Sequence, residues 1–257
     1  MTGTDEKDLD YKGDETGRLE TIWGEGFLSP GGAAEVSRVL GSHNIEGCDI
    51  LDIGSGTGGV DIVLVREHGA GTVVGIDVEQ KLVDLANHYL SHHALENRIK
   101  YQLVDPGPLP FPDETFDAVF SKDAIIHVQD KRGLYSEGFR VIRPGGRIFV
   151  SDWLRGEGDE FDNTVERFAE ASGHDFTLVS LREIEDVLRE VGFVDIDLTD
   201  RGDWYLKEAT AELEKMRGPL HTQLREEIDF WEIMVGALNE GAIMPGHIRA
   251  MKPSATQ

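Results

Sequence analysis

A glycine-rich stretch is the first feature of this sequence whose residue types and spacing point to chemistry. Residues 52–59 read Asp-Ile-Gly-Ser-Gly-Thr-Gly-Gly and stand between a short apolar run and a helical pattern. Glycines let a backbone approach a ligand closely, and free amides at a helix N-terminus bind electron-rich groups. The pattern alone fits a dinucleotide enzyme equally well. It lacks the Lys-Ser/Thr pair of a phosphate loop, which disfavours a nucleotide triphosphatase.

Acidic residues end the next two apolar runs. Asp77 closes the sequence Gly75-Ile76-Asp77, where its carboxylate is placed to accept hydrogen bonds from ribose hydroxyls. The plainer alternative for Asp77 is a helix N-cap. Asp105 follows a further run in the same way, and residues 112–117 (Pro-Asp-Glu-Thr-Phe-Asp) lead into the next one.

Asp123 and His127 follow that next run at a spacing of four residues. On a helix they would lie on one face and interact. Their position corresponds to the carboxyl edge of a doubly wound sheet, where ligands bind, and histidine titrates near neutrality. We predict that His127 and Asp123 are catalytic; the alternative is a helix-capping aspartate and a surface histidine.

Composition excludes several classes of partner. The 257 residues carry a formal net charge of -24, which argues against nucleic acid or an anionic membrane as partner. An excess of acidic residues usually aids solubility. The alternative explanation of this excess is adaptation to high salt. Cys48 is the single cysteine and no zinc-binding pair is present, so we predict no metal site. Without a long apolar run or an apolar leader, we expect a cytoplasmic monomer or homodimer.

The pattern of apolar runs predicts the elements that position these residues. Strands are expected at about 49–53, 72–77, 99–104, 116–120 and 147–152, alternating with helices. This alternation is typical of an α/β, Rossmann-like, doubly wound and mostly parallel sheet, here of seven strands. After Trp153 the alternation stops, and we expect helices at 163–172 and 181–191, a strand at 194–198, a helix or helix pair over 204–240 and a strand at 247–252.

The chain is accordingly divided into five parts. Residues 1–17 form a flexible acidic tail, 18–45 an N-terminal lid and helix, and 46–152 the Rossmann-like core. Residues 153–192 form a helical cap insertion, and 193–257 complete the sheet.

The order of these motifs resembles class I S-adenosylmethionine-dependent methyltransferases over about residues 48–152. The resemblance rests on Asp-Ile-Gly-Ser-Gly-Thr-Gly-Gly, Gly-Ile-Asp, Val-Asp, Asp-x-x-Phe-Asp and Arg-Pro-Gly-Gly-Arg. It implies that S-adenosyl-L-methionine is the cofactor and S-adenosyl-L-homocysteine the product. By this resemblance, the backbone of Gly54, Gly56 and Gly58 runs beside the methionine part of the cofactor. Asp77 binds the ribose and Val78 contacts the adenine face. Asp105 binds the adenine amino group. The remaining predicted cofactor residues are Trp23, Phe27, Ser29, Asp52, Ser55, Pro106 and Lys122.

One departure from that family affects adenine. The residue after the adenine-binding acid usually donates its backbone N–H, and Pro106 has none. We therefore expect adenine contact here to be weaker or rearranged.

Two further segments resemble phosphoethanolamine N-methyltransferases and the related sarcosine and dimethylglycine methyltransferases that form glycine betaine. They are residues 23–32 (Trp-Gly-Glu-Gly-Phe-Leu-Ser-Pro-Gly-Gly) and 123–131 (Asp-Ala-Ile-Ile-His-Val-Gln-Asp-Lys). The resemblance implies that residues 23–32 close over the cofactor and that His127 takes part in catalysis.

The match to a phosphobase enzyme is incomplete. A catalytic tyrosine of that family corresponds to Leu19, and its phosphate-binding tyrosines and arginine correspond to Trp153, His174 and Phe176. We predict that these three residues, with His127, bind the substrate, since aromatic rings suit an amine that becomes a quaternary ammonium. The alternative is that Trp153 and Phe176 are ordinary core residues. A substrate carboxylate would need a cation, for which the sequence offers Arg167, Arg182 and Arg201.

The sequence therefore predicts an enzyme that N-methylates a small amine, of the glycine-to-betaine or choline-route type. A natural-product O-, C- or N-methyltransferase is the first alternative. A non-catalytic cofactor-binding or scaffold protein is the second, and a nicotinamide oxidoreductase the third.

Overall fold

A seven-stranded sheet forms the centre of the computed structural model, which describes residues 15–218 and 225–254. Its strand order is β3-β2-β1-β4-β5-β7-β6. The strands are β1 (Asp49–Ile53), β2 (Thr72–Asp77), β3 (Ile99–Leu103), β4 (Phe116–Lys122), β5 (Ile142–Arg155), β6 (Val194–Asp200) and β7 (Ile243–Met251).

Strand directions place a crevice at the middle of the sheet. The first five strands are mutually parallel, whereas β7 is antiparallel to both β5 and β6. Chain order reverses between β1 and β4, so the connections that leave these two strands diverge at their carboxyl ends. Ligands of doubly wound proteins bind at such a point. The predicted α/β, Rossmann-like, doubly wound and mostly parallel sheet of seven strands is confirmed.

Helices cover both faces of the sheet and build a cap beyond its edge. They are α1 (Glu15–Trp23), α2 (Gly32–Leu40), α3 (Gly59–Arg66), α4 (Gln80–Ser91), α5 (Lys131–Val141), α6 (Asp162–Ser172), α7 (Leu181–Val191), α8 (Gly202–Met216) and α9 (Arg225–Glu240). One apolar core joins the sheet to α5 and α7, and another joins it to α2 and α3. A third core lies among α6, α8 and α9. The described helices include none long and apolar enough to cross a membrane.

The structure corrects several predicted element bounds. Residues 15–17 begin α1 rather than ending a flexible tail, and residues 1–14 of that tail lie outside the described residues. Strand β5 starts at Ile142, before the expected residue 147, because Pro144 cannot continue a helix and favours extended backbone before it. Strand β7 likewise starts at Ile243 rather than at residue 247. The predicted division of the chain into five parts stays a prediction.

A buried ion-pair network attaches α2 to the last strand. Glu35 Oε1 lies 2.6 Å from His247 Nε2, and Arg249 donates hydrogen bonds to the carbonyls of Val39 and Arg38. Burial acts to raise the pKa of Glu35, but the hydrogen bond and charge of His247, with Arg38, hold it below its usual value. The network fixes the helix that follows the predicted lid.

The predicted lid lies directly on the glycine-rich turn. The Gly59 amide, at the start of α3, donates a 3.0 Å hydrogen bond to the carbonyl of Gly26. The Gly26 amide donates to Glu20 Oε1 at 3.0 Å, and Tyr89 OH donates to the other oxygen of Glu20 at 2.7 Å. A Cβ at Gly26 would stand 2.8 Å from Gly59 Cα, so this contact requires glycine.

Replacing Gly26 with alanine should lift the lid from α3. The new methyl group would clash with the Gly59 backbone, and overpacking of this kind costs ~1–3 kcal/mol. We expect amide hydrogen exchange of residues 24–31 and of Gly59 to become roughly tenfold faster or more, as measured by mass spectrometry.

Gly24→Ala is the matched control for that experiment. Gly24 also has positive φ, at 100°, but its nearest new contact would be at 3.9 Å. This variant carries the backbone strain without the clash, so exchange at Gly59 should stay near that of the unmodified protein. Equal acceleration in both variants would contradict close lid docking at Gly26.

Candidate methyl-transfer site

The glycine-rich turn is held by the ends of β1 and β2. The amides of Gly54 and Ser55 donate to the carbonyl of Ile76 at 2.9 and 3.0 Å. The Gly56 amide donates to Asp77 Oδ2 at 2.9 Å, and the Glu79 amide donates to Asp77 Oδ1 at 3.0 Å. The carboxylate of Asp77 therefore spans the glycine-rich turn and the start of α4. The N-cap of α4 is Glu79, so Asp77 does not occupy the alternative capping position.

Several polar atoms at this turn are buried without a hydrogen-bond partner among the described residues. They include Asp52 Oδ1, Ser55 Oγ and Thr57 Oγ1. Buried polar groups are normally satisfied by protein, water or ligand. These atoms fit the polar amino-acid end of a bound ligand at the position predicted for the methionine part of the cofactor.

Apolar surface is exposed beside Asp77, where the adenine was expected. Val78 is 56% exposed and Leu103, at the end of β3, is 44% exposed, both high for large apolar residues. Asp105 and Pro106 follow on exposed chain. These exposed apolar side chains lie at the ends of adjacent strands, and the adenine contact predicted for Val78 stays a prediction.

Two buried acids lie under the turn, and only one of them was anticipated. Burial raises the pKa of Asp52 to about 7, with the charge of Asp77 adding to the effect. Burial and the neighbouring Asp52 raise the pKa of Asp61 well above its usual value. At neutral pH the two carboxyl groups therefore hold at least one proton between them. Sequence reasoning missed Asp61, although an acid in the apolar segment Val-Asp-Ile-Val-Leu-Val was a usable signal.

Lys122 connects the lid to the predicted catalytic segment. Its Nζ donates to Ser29 Oγ at 2.5 Å and to Asp123 Oδ2 at 2.8 Å. The side chains of Lys122 and Asp123 are only 2% and 7% exposed. Ser29, which is distant in sequence, and the neighbours Lys122 and Asp123 therefore form one polar cluster at the end of β4.

The predicted helical pairing of Asp123 with His127 is wrong. Asp123 has a left-handed backbone (φ 54°), and a short 3₁₀ turn over 125–127 follows it. The carboxylate of Asp123 consequently bonds to Lys122, whereas the His127 ring packs at 5.2 Å from Phe176 and 5.7 Å from His174. The missed residue here is Lys131, whose ammonium bonds to the Ile125 carbonyl and anchors the turn.

The environment of His127 favours its neutral form. The residue keeps access to solvent, but packing of its ring buries it in part. This burial lowers its pKa below the usual value, and the charges of His174 and Lys131 lower it further. A neutral imidazole at pH 7 is the form that can accept a proton.

Aromatic side chains line the cap above His127. Phe168 of α6 packs against Trp153, Phe176 and Phe230 at 5.7–5.8 Å, and Trp153 packs edge-on against Tyr205 at 5.0 Å. The structure thus brings together the predicted substrate residues Trp153, His174, Phe176 and His127. Trp153 and Phe176 also pack against the cap core, so they serve as core residues too, which was the alternative interpretation of their sequence positions.

Two cavities open between the lid and the cap. We call the first, of about 10 Å³, the inner cavity; it is lined by Pro30, Glu35, Asp123, Ser151, Trp153, Trp204, Tyr205 and Pro245. We call the second, of about 170 Å³, the outer groove; it is lined by Trp23, Gly31, Gly32, Trp204, Tyr205, Glu208 and Glu212. They share Trp204 and Tyr205 and are therefore neighbours.

The three candidate arginines occupy different environments. Arg167 and Arg182 are exposed. Arg201 lies beside the inner cavity, with its guanidinium 4.5 Å from the Trp204 ring centre and its Nε 3.9 Å from Glu35. That Nε is buried without a hydrogen-bond partner in the described part of the chain. Of the three, Arg201 is placed to meet an acceptor carboxylate.

The fold and the glycine-rich turn are those expected of class I S-adenosylmethionine-dependent methyltransferases. Residues 51–150 match the family model described as "Methyltransferase domain". This match and the similarities below confirm the predicted class and the resemblance on which it rested.

The similar proteins include N-methyltransferases. The chain is 30% identical over 223 residues to the phosphoethanolamine N-methyltransferase of Triticum aestivum, covering 84% of this chain and 42% of that protein. It thus spans about two fifths of that relative's length.

Solved structures share the fold. Phosphoethanolamine N-methyltransferase 2 of Haemonchus contortus, with phosphomonomethylethanolamine and S-adenosylhomocysteine, superposes with a TM-score of 0.80 at 24% identity, over 99% of this chain and 62% of that one. A candidate sarcosine dimethylglycine methyltransferase from Galdieria sulphuraria gives 0.74 at 20% identity, over 86% and 85%.

Replacing Asp77 with alanine should weaken S-adenosylmethionine binding by at least about tenfold. The change removes the acceptor for the Gly56 and Glu79 amides and for a ribose hydroxyl, and hydrogen bonds to charged groups contribute ~1.5–3 kcal/mol. Asp77→Asn keeps one acceptor oxygen, so its affinity for S-adenosylmethionine should lie between that of the unmodified protein and that of Asp77→Ala. Titration calorimetry measures the affinities, with Asp84→Asn on the exposed face of α4 as control. Unchanged affinity in Asp77→Ala would remove Asp77 from the cofactor site.

Replacing His127 with alanine should lower turnover ~10²–10⁴-fold, the usual contribution of a general base. Because the pKa of folded His127 lies below its usual value of 6.5, the base is free above pH 6.5. The unmodified enzyme should lose kcat/KM as pH falls through that lowered pKa, and His127→Asn should lose this acid limb. Initial rates across pH measure both effects, while cofactor affinity should change little. Full activity with an intact acid limb in His127→Asn would exclude His127 as the base.

Proposed function

We propose that this chain transfers the methyl group of S-adenosyl-L-methionine to the nitrogen of a small amine and releases S-adenosyl-L-homocysteine. The observation that carries the proposal is that a glycine-rich turn held by Asp77 lies under the same lid as an aromatic cavity lined by Asp123. His127 follows Asp123 by four residues, and its ring packs on Phe176. Methyl transfer from a sulfonium is an in-line displacement, for which alignment and exclusion of water are the main requirements.

The residues of the turn fit the cofactor. The buried unpartnered atoms of Asp52, Ser55 and Thr57 are placed for its amino-acid end, and Asp77 for its ribose. Val78 supplies an apolar surface for adenine. When bound, S-adenosylmethionine supplies an electrophilic methyl group at the edge of the crevice. Trp23, Phe27 and Ser29 hold the lid against this region, with Phe27 packed on the core and Ser29 bonded to Lys122.

The cap residues support an amine as acceptor. The inner cavity, of about 10 Å³, must widen to admit the acceptor, and an ammonium bound there would meet the carboxylate of Asp123 and the ring of Trp153. Neutral His127 then removes the proton, directly or through water, because only the free amine has a lone pair for the methyl group. The rings of Trp153 and Phe176 favour each more highly methylated, permanently cationic product.

Within the amines, we favour the glycine-to-betaine series or a choline-route amine. Leu19 stands in place of a tyrosine, and Trp153, His174 and Phe176 offer few donors for a phosphate. Arg201, beside the inner cavity, offers a partner for the carboxylate of a glycine-type acceptor. Natural-product methylation at O, C or N remains the second candidate, because the same departures free the cap for another acceptor.

Release of S-adenosylhomocysteine tests the proposal. Purified protein is incubated with S-adenosylmethionine and, separately, with glycine, sarcosine, dimethylglycine, ethanolamine or phosphoethanolamine, at low and high salt. We expect turnover with a glycine-series or choline-route amine. Turnover only with phosphoethanolamine would replace the favoured acceptor, and cofactor binding without turnover on any amine would contradict the N-methylation proposal.

A further inference from the structure

The outer groove has the position of an entry site. The lid contributes Trp23 and Gly31 on one side, and α8 contributes Glu208 and Glu212 on the other. The inner cavity, at about 10 Å³, has room for about one water molecule. The neighbouring groove, at about 170 Å³, has room for a small organic molecule while the lid is closed.

Two carboxylates of α8 line the groove, and one of them has no ion pair in the described part of the chain. Glu208 and Glu212 are one turn apart on α8 and therefore share a face. Glu212 accepts a 2.5 Å hydrogen bond from Lys215, an ammonium that is 70% exposed. Glu208 has no hydrogen bond or ion pair to any residue that the structure describes. Its carboxylate is available to a cation from solution.

Aromatic rings complete the groove. Trp23 is held in place by stacking on Trp231 at 5.6 Å, and Tyr205 is fixed against Trp153. Trp204 already has the guanidiniums of Arg38 and Arg201 at 5.0 and 4.5 Å from its ring centre. Both arginines lie within 4 Å of Glu35, whose single carboxylate offsets one of their two charges. Glu208, on the α8 side of the groove, has no ion pair among the described residues.

We propose that the outer groove is a second binding site, for an alkylammonium group, which holds the amine outside the inner cavity. A carboxylate beside tryptophan rings is the combination that binds organic cations rather than hydrated metal ions, since the rings replace part of the water shell. The amine enters through the shared wall of Trp204 and Tyr205, and a partly methylated product returns to the groove between transfers. The identity of the ligand as an acceptor rests on the proposed function.

Tetramethylammonium chloride is the probe that tests the groove, because it has no proton to lose and no lone pair to methylate. Calorimetric titration of the full chain, with sodium chloride at equal ionic strength as blank, should show saturable binding. Glu208→Gln should weaken this binding at least about threefold, the effect expected for one partly exposed charge. Trp23→Leu should weaken it similarly through loss of the ring.

Glu214→Gln is the matched control, since Glu214 is an exposed acid of α8 that does not line the groove. It should bind the probe as the unmodified protein does. Equal weakening in Glu208→Gln and Glu214→Gln, or no saturable binding at all, would overturn the proposal.

The experiments distinguish failure of the proposed alkylammonium site from failure of the proposed methyltransferase function. Amine turnover without Glu208-dependent binding of tetramethylammonium would overturn only the groove. Glu208-dependent binding without turnover of any amine would leave the alkylammonium site in place and remove its role in methyl transfer.

Discussion

The pairing of Lys122 with Ser29 and Asp123 is the interaction on which the site depends. A charged ammonium that is 2% exposed is costly unless it is paired and hydrogen-bonded. Opening the lid would remove Ser29 from Lys122, and turning Asp123 out of its left-handed conformation would remove the carboxylate. The closed lid and the orientation of Asp123 are therefore coupled. One polar cluster joins the cover of the cofactor region to the wall of the acceptor cavity.

The crevice between β1 and β4 gives that cluster its location. The glycine-rich turn leaves β1 on one side, and Lys122 ends β4 on the other. In the proposed function, the cofactor and acceptor regions meet where the two connections diverge, and the methyl group crosses from one to the other there. The apolar cluster of α6, α8 and α9 includes Trp153, which lines the inner cavity next to Asp123. Electrostatic contacts from Asp123 and Glu35 are stronger in such surroundings than in water.

Much of this arrangement was predictable, because it is encoded locally. The bounds of β1, β2 and α7 follow from short apolar runs and a capping serine, and Asp77 follows from its place after a strand. Helix α1 was missed because its charged sequence has little periodicity, and its described contacts, such as Trp23 with Trp231, are distant in sequence. The left-handed backbone of Asp123 and the Glu35–His247 pair were not predicted either, because both depend on tertiary packing.

The most direct test of methyl transfer to an amine nitrogen is to follow the methyl group to its destination. Nuclear magnetic resonance with carbon-13 in the methyl group of S-adenosylmethionine follows that carbon through the reaction and distinguishes nitrogen from oxygen and carbon acceptors by chemical shift. We expect the labelled signal to appear as an N-methyl group on a small amine, in step with formation of S-adenosylhomocysteine. A label that moves to oxygen or carbon, or that stays on S-adenosylmethionine bound to the protein in the presence of the amines, would contradict it.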